Sequence, residues 1–191
     1  MKKRGVQIGI LLVTLGLLAW GVTIGLEQLA GPTSDTSPVV AAPAPTTAHI
    51  TATLFYASAD GLGLAPMRRE VPLAEGVVAQ GRQILEAQLL PPTDGQRSVI
   101  PMGTRLRAFY VTDRGDAFVD LTPDVAFAHP GGSLSELLTV YALVNAVTAN
   151  LPAVQRVQLL VDGKEVDTIA GHVDVRRPLA RDASLVREAV P

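Results

Sequence analysis

His49, His129 and His172 are the three imidazoles of a 191-residue chain that contains no cysteine. Metal or nucleophile chemistry here would have to be assembled from these histidines, from hydroxyls and from carboxylates. The tightest cluster is His172-Val173-Asp174, whose alternate residues share one face of an extended strand. A metal at that point needs two more ligands, and His129 and Asp162 are the candidates. No H-E-x-x-H or EF-hand spacing accompanies them. The simpler reading is a strand-end His and Asp that bond each other or the nearby turn. Ser133 follows Gly131-Gly132 with His129 close by, yet G-x-S-x-G is absent. With Glu136, Ser133 instead forms the S-x-x-E pattern of a helix capping box. Asp113, Asp116, Asp120 and Asp124 could supply the paired carboxylates that glycosidases use, but their spacing is that of turns and strand ends. Gly61 and Gly63 do not separate a strand from a helix as a dinucleotide loop requires. The sequence therefore assigns no catalytic, cofactor-binding or metal-binding residue, and the expectation is a protein that is not an enzyme.

The elements that would hold these residues follow from hydrophobic periodicity. Residues 50–56 form a β-rich run, Asp60-Gly61-Leu62-Gly63 is a turn, and residues 64–71 make a second strand that Pro66 keeps at an edge. Val77/Ile84 and Val78/Leu85/Leu89 recur at helical spacing within residues 75–90, and Pro91-Pro92 stops that helix. Two strands, 104–112 and 117–122, flank the hairpin signal Asp113-Arg114-Gly115-Asp116. A second helix spans 133–151, a strand spans 154–161, and Asp162-Gly163 turns into a last strand at 164–169. The order β-(β)-α-β-β-α-β-β predicts a single small α+β domain, with a mixed or antiparallel sheet carrying two helices on one face.

The second helix is unusual. Leu134, Leu137, Leu138, Tyr141 and Val144 make a core stripe, but Val140, Leu143 and Val147 fill a second arc. A helix apolar nearly all round is covered on more than one side. The cover is either the rest of the same domain or a partner, an envelope protein or a second copy, seated on Val140, Leu143 and Val147.

Lys2, Lys3 and Arg4 (the cytoplasmic segment 1–4) precede residues 5–26, which carry no charge. At 1.5 Å per residue that run spans ~30 Å, the hydrocarbon core of a bilayer, and is longer than a signal-peptide core. It predicts an uncleaved transmembrane signal anchor with the N-terminus inside, so that the cytoplasmic membrane is itself a partner through residues 5–26. Residues 27–48, rich in Pro, Ala, Ser and Thr, predict an extended tether; residues 49–178 form the extracytoplasmic domain, and 179–191 a flexible C-terminal tail. The mean hydropathy of +0.30 reflects the anchor. A net charge of −2 excludes nucleic acid as a partner, and the absence of cysteine excludes disulfides, thiolate sites and a lipidated cysteine.

Leu54-Phe55-Tyr56, the helix ending in Leu89-Leu90, Ile100-Pro101-Met102-Gly103-Thr104, Ala117-Phe118-Val119-Asp120-Leu121-Thr122 and the helix from Ser133, in this order, resemble the GerMN domain, a sporulation and spore-germination module. Val157 to Gly163 and Asp167 to Asp174, closed by Pro178, complete the series. Pro91-Pro92-Thr93 departs from the Gly-Pro pair many members carry after the first helix. The resemblance implies a small α+β domain without assigned catalytic residues or cofactors, carried on membrane-anchored or lipoprotein envelope proteins, and similar in fold to ring-building motifs of secretion assemblies. The functional expectation is a non-catalytic, membrane-tethered interaction module of the bacterial cell envelope, in a sporulation-type or wall-associated assembly. Its rivals are an envelope hydrolase built on His172, Asp174 and His129, and a wall-polymer or small-ligand binder lined by Tyr56, Tyr110 and arginines. A reporter active only outside the cytoplasm, fused after Pro191, should be active, and a reporter active only in the cytosol should be silent. The reverse pattern would overturn the topology.

Overall fold

Burial alternates along residues 64–72 and becomes continuous at Leu54-Phe55-Tyr56, so the first two strands form a ribbon with one wet edge and one buried edge. The computed structural model describes residues 48–93 and 95–187, all within the unit Thr46–Pro191. The anchor expected at 5–26, the basic segment before it and all but the last residue of the tether lie outside the described residues. Among the described residues no helix is long and apolar enough to cross a membrane.

Strand β1 (His49–Ala57) pairs antiparallel with β2 (Leu64–Pro72) as a sheet of two. Helix α1 (Val77–Leu89) follows, then β3 (Leu106–Val111), β4 (Asp116–Leu121), the single turn α2 (Asp124–Phe127) and the long helix α3 (Ser133–Asn150). Strand β5 (Arg156–Val161) lies parallel to β4, with α3 as the crossover that a parallel pair requires. Strands β6 (Lys164–Glu165) and β7 (Leu179–Ala180) both pair antiparallel with β5. The α+β class and the mixed sheet are as the sequence predicts. The single sheet with helices on one face is not: there are two sheets, and α1 and α3 each touch both.

The reason lies along the outer edge of β1, where side chains stand in for a neighbouring strand. The buried Gln88 amide accepts from Phe55 N–H at 2.8 Å and donates to Phe55 C=O at 2.7 Å. Asn150 does the same for Thr53, at 2.8 and 2.7 Å, and Arg97 C=O takes Ala57 N–H at 2.9 Å. Backbone groups satisfied in this way have no need of β3, so the ribbon stays separate from the second sheet. On the other edge Pro66 and Pro72 have no N–H to offer.

Helix α3 is enclosed by its own chain. Val140, Leu143 and Val147 are each 0% exposed, so the arc proposed as a partner surface is core, covered by both sheets. The predicted stripe is shifted: Leu138 and Val144 are buried, Leu137 and Tyr141 are half-buried, and Leu134 is 38% exposed where the first turn protrudes. Helix α1 approaches β3 so closely that a Cβ at Gly81 would collide with the Phe109 ring, which explains a glycine inside a helix.

Two further expectations need correction. The strand expected at 164–169 stops after Glu165, because residues 169–172 turn aside to bond Glu136. The tail expected to fray is held as far as Arg187. Asn145, buried on α3, exchanges two hydrogen bonds with the Asp182 backbone at 2.9 and 3.0 Å, and Leu64 exchanges two with Leu185 and Arg187 at 2.8 Å each. Only residues 188–191 lie outside the described part of that tail.

Replacing Gln88 with Ala would strand the buried N–H and C=O of Phe55. The expected cost is about 1–3 kcal/mol for each unpaired group, read as a lower urea midpoint at unchanged m-value. A midpoint equal to wild type would show that the amide does not hold the β1 edge.

Candidate functional site

Glu136 is in the first turn of α3 with its side chain fully buried, in a helix whose N-cap is Gly132. The carboxylate does not reach back to the cap, and Ser133 is the first helical residue with no capping hydrogen bond, so the expected capping box is absent. Instead Oε1 accepts the backbone N–H groups of Ile169 and Ala170, both at 2.8 Å, and Oε2 accepts that of His172 at 2.7 Å. The His172 Nδ1 lies 3.3 Å from the same Oε2. Burial alone would raise the carboxyl pKa, but the N–H groups of Ala170, His172, Ile169 and Val173 outweigh it and hold it below the ordinary value of 4.5.

His129 belongs to the same neighbourhood but faces other partners. Its Nδ1 accepts Gly131 N–H at 3.0 Å, which leaves Nε2–H to donate to Thr139 Oγ1 at 3.1 Å, and Thr139 in turn donates to Val99 C=O. Burial pulls the His129 pKa below its ordinary value, against the opposing charge of Glu136, in keeping with a neutral ring. His172 thus contacts Glu136 directly, while His129 feels its charge but is held by Thr139 and Gly131.

The other sequence candidates are dispersed. Asp174 is exposed and forks with Arg176, at 3.0 and 2.7 Å, which holds its carboxyl well below the usual range. Asp162 and Asp120 share Arg107, at 3.3 and 2.9 Å, while Asp120 also accepts Gly163 N–H at 2.8 Å and so fixes the β5–β6 turn. That turn has positive φ at Asp162 and Gly163, 54° and 74°, as a two-residue hairpin loop demands. Asp116 is forked by Arg156 across the β4–β5 pair. Asp113 and Asp124 are exposed, and His49 is exposed at the start of β1. Gly61 is in the turn after β1, and Gly63 is pressed against Leu185 and Arg187. Among the described residues no three His, Asp or Glu side chains are placed to hold a metal ion. Tyr56 is 1% exposed and lines no open surface, whereas Tyr110 on β3 is 60% exposed.

Sequence reading passed over a groove of about 540 Å³. It is lined by Ala57, Gly61 and the segment 97–101 together with Pro130, Leu134, Ser135 and Leu138. Ile100 and Leu138 give it a buried apolar base. Exposed Met102 (90%) and Leu62 (56%) adjoin lining residues in sequence, and Phe127 (88%) precedes Pro130 by three. The signal available in the sequence was a set of large apolar residues placed in turns, where no core demands them.

A mixed sheet with one parallel crossover, joined through two helices to a separate β-ribbon, defines a small α+β domain. The chain belongs to the Germane family, described as sporulation and spore germination, whose model matches residues 53–167. No curated protein gives a significant match. Among solved structures, the first GerMN domain of the sporulation protein GerM from Bacillus subtilis is 18% identical with a TM-score of 0.52, over 69% of this chain and 98% of that one. The tandem GerMN domains of the same protein give 18% and 0.53, over 71% of this chain but 46% of theirs, so the chain spans about half of that tandem. A candidate lipoprotein from Clostridium perfringens gives 20% and 0.50, over 69% and 87%. At these identities the structures share the fold.

Because Glu136 binds its proton more weakly folded than unfolded, its stabilisation is complete above about pH 4.5 and is lost as pH falls through the lower folded value. Glu136→Gln should cost about 3 kcal/mol at neutral pH, since hydrogen bonds to a charged acceptor are lost. The gap between wild type and variant in urea melts should shrink below pH 4.5. A gap independent of pH would show that the carboxylate charge does not hold the 169–172 loop.

Proposed function

We propose that this chain is a non-catalytic interaction module, anchored through residues 5–26 with its folded domain outside the cytoplasmic membrane, and that it serves a spore-envelope or wall-associated assembly. The family match and the sporulation and lipoprotein descriptions of its structural relatives support the setting. The basic N-terminus and the 22-residue uncharged run that follows support the topology. The observation that carries the interaction role is the pair Met102 and Phe127, 90% and 88% exposed, one and three residues along the chain from the lining residues Pro101 and Pro130. Side chains so large and so wet contribute nothing to the fold and mark a surface that another molecule covers. The hydrolase reading needs His172, Asp174 and His129 in one cleft, whereas each has a different partner. The wall-polymer reading needs Tyr56 at a surface, and Tyr56 is core.

A photo-crosslinking residue placed at Phe127 of the full-length protein, in its native membrane, should give a discrete protein adduct, while the same residue at exposed Arg68 on β2 should not. Phe127→Ser should remove function and leave stability within about 0.5 kcal/mol. Lipid adducts alone, or a Phe127→Ser protein with full function, would overturn the proposal.

A further inference from the structure

The groove has a charge at its mouth that the fold does not use. Arg97 is exposed, and a Cβ at Gly61 would lie 3.7 Å from its guanidinium. Its own carbonyl is tied to Ala57 N–H at 2.9 Å, so the side chain springs from a fixed base. Arg82, Arg107, Arg156 and Arg176 are paired with carboxylates; among the described residues Arg97 makes no ion pair, as Arg68, Arg105 and Arg114 make none, and no carboxylate lines the groove. The first turn of α3 opens on the same space without a side-chain cap. Below this positive mouth the base is apolar, formed by Ile100 and Leu138 between Pro101, Pro130 and Leu134.

From this geometry we infer that the groove binds an extended segment of a partner protein that presents an acidic side chain beside a large apolar one. The assignment rests on the interaction-module reading and specifies the site and the chemistry. The apolar side chain enters between Leu134 and Pro101, and the carboxylate meets Arg97, a pairing that Arg makes with two parallel hydrogen bonds. A volume of about 540 Å³ is also ligand-sized. A small ligand, however, would leave Leu62 and Met102, each the chain neighbour of a lining residue, bare, whereas a polypeptide running through the groove covers them and seals the ion pair from water.

The test uses the full-length chain in detergent micelles and three fluorescein-labelled nonapeptides. The peptides share a Leu-Val-Leu centre and differ only in flanks of Asp, Asn or Lys. Fluorescence anisotropy should rank them Asp, Asn, Lys, with the Asp peptide about tenfold tighter than the Lys peptide. Arg97→Glu, at an exposed site, should leave the melting temperature unchanged and reverse that order, and Leu134→Ser should weaken all three together. Absence of binding, or an order that survives Arg97→Glu, overturns the assignment. If the order fails while Phe127 adducts persist in the Arg97→Glu protein, the interaction reading stands and the groove assignment falls. If the adducts are missing from wild type as well, both fall.

Discussion

Helix α3 is buried along the middle of its length by both sheets, and that burial dictates how the rest of the chain is arranged. A polar side chain on such a helix has no water to turn to and must find a partner in the protein. Four of them do so, each with a different stretch of chain. Glu136 gathers residues 169–172, Thr139 holds Val99 and His129, Asn145 clips Asp182, and Asn150 pairs with Thr53. The helix is thus a hub as well as a core element. Its apolar residues supply the driving force, and its polar residues decide which loop lies where.

This arrangement explains what could be read from the sequence. The two long helices and the hairpin turns follow from periodicity and turn residues, which are local signals. The capping box failed because Ser133-x-x-Glu136 has the same spacing whether the glutamate turns back to its helix or out to a distant loop. Burial decided it: Ile169, Ala170 and His172 offer three N–H groups to a carboxylate that has lost its water. The two-sheet division was equally hidden, since nothing in the pattern of strands says that Gln88 and Asn150 will complete the edge of β1. Polar amides inside an otherwise apolar helix are the trace these contacts leave in the sequence. The tail was misjudged for a related reason, because Asp182 looks solvated until Asn145 is seen to hold its backbone.

The same physics accounts for the candidate site. Histidines and aspartates that look chemically promising in a row of letters are each occupied here: His129 by Thr139 and Gly131, His172 by Glu136, Asp174 by Arg176, and Asp120 by Arg107 and Gly163. What the fold leaves uncommitted is of another kind, an arginine and several apolar side chains around an open groove. A protein whose polar interior is fully engaged and whose apolar exterior is not is suited to binding.

The substitute strand along β1 also shapes how the protein comes into being. Residues 50–57 are a β-prone, uncharged run, and its Thr53 partner, Asn150, lies 97 residues further along the chain. Until α3 has been made and has docked, the N–H and C=O of Thr53, one of the three places where that edge is completed, are open to any similar segment nearby. Slow emergence of the chain therefore exposes a sticky template for as long as its C-terminal half is missing.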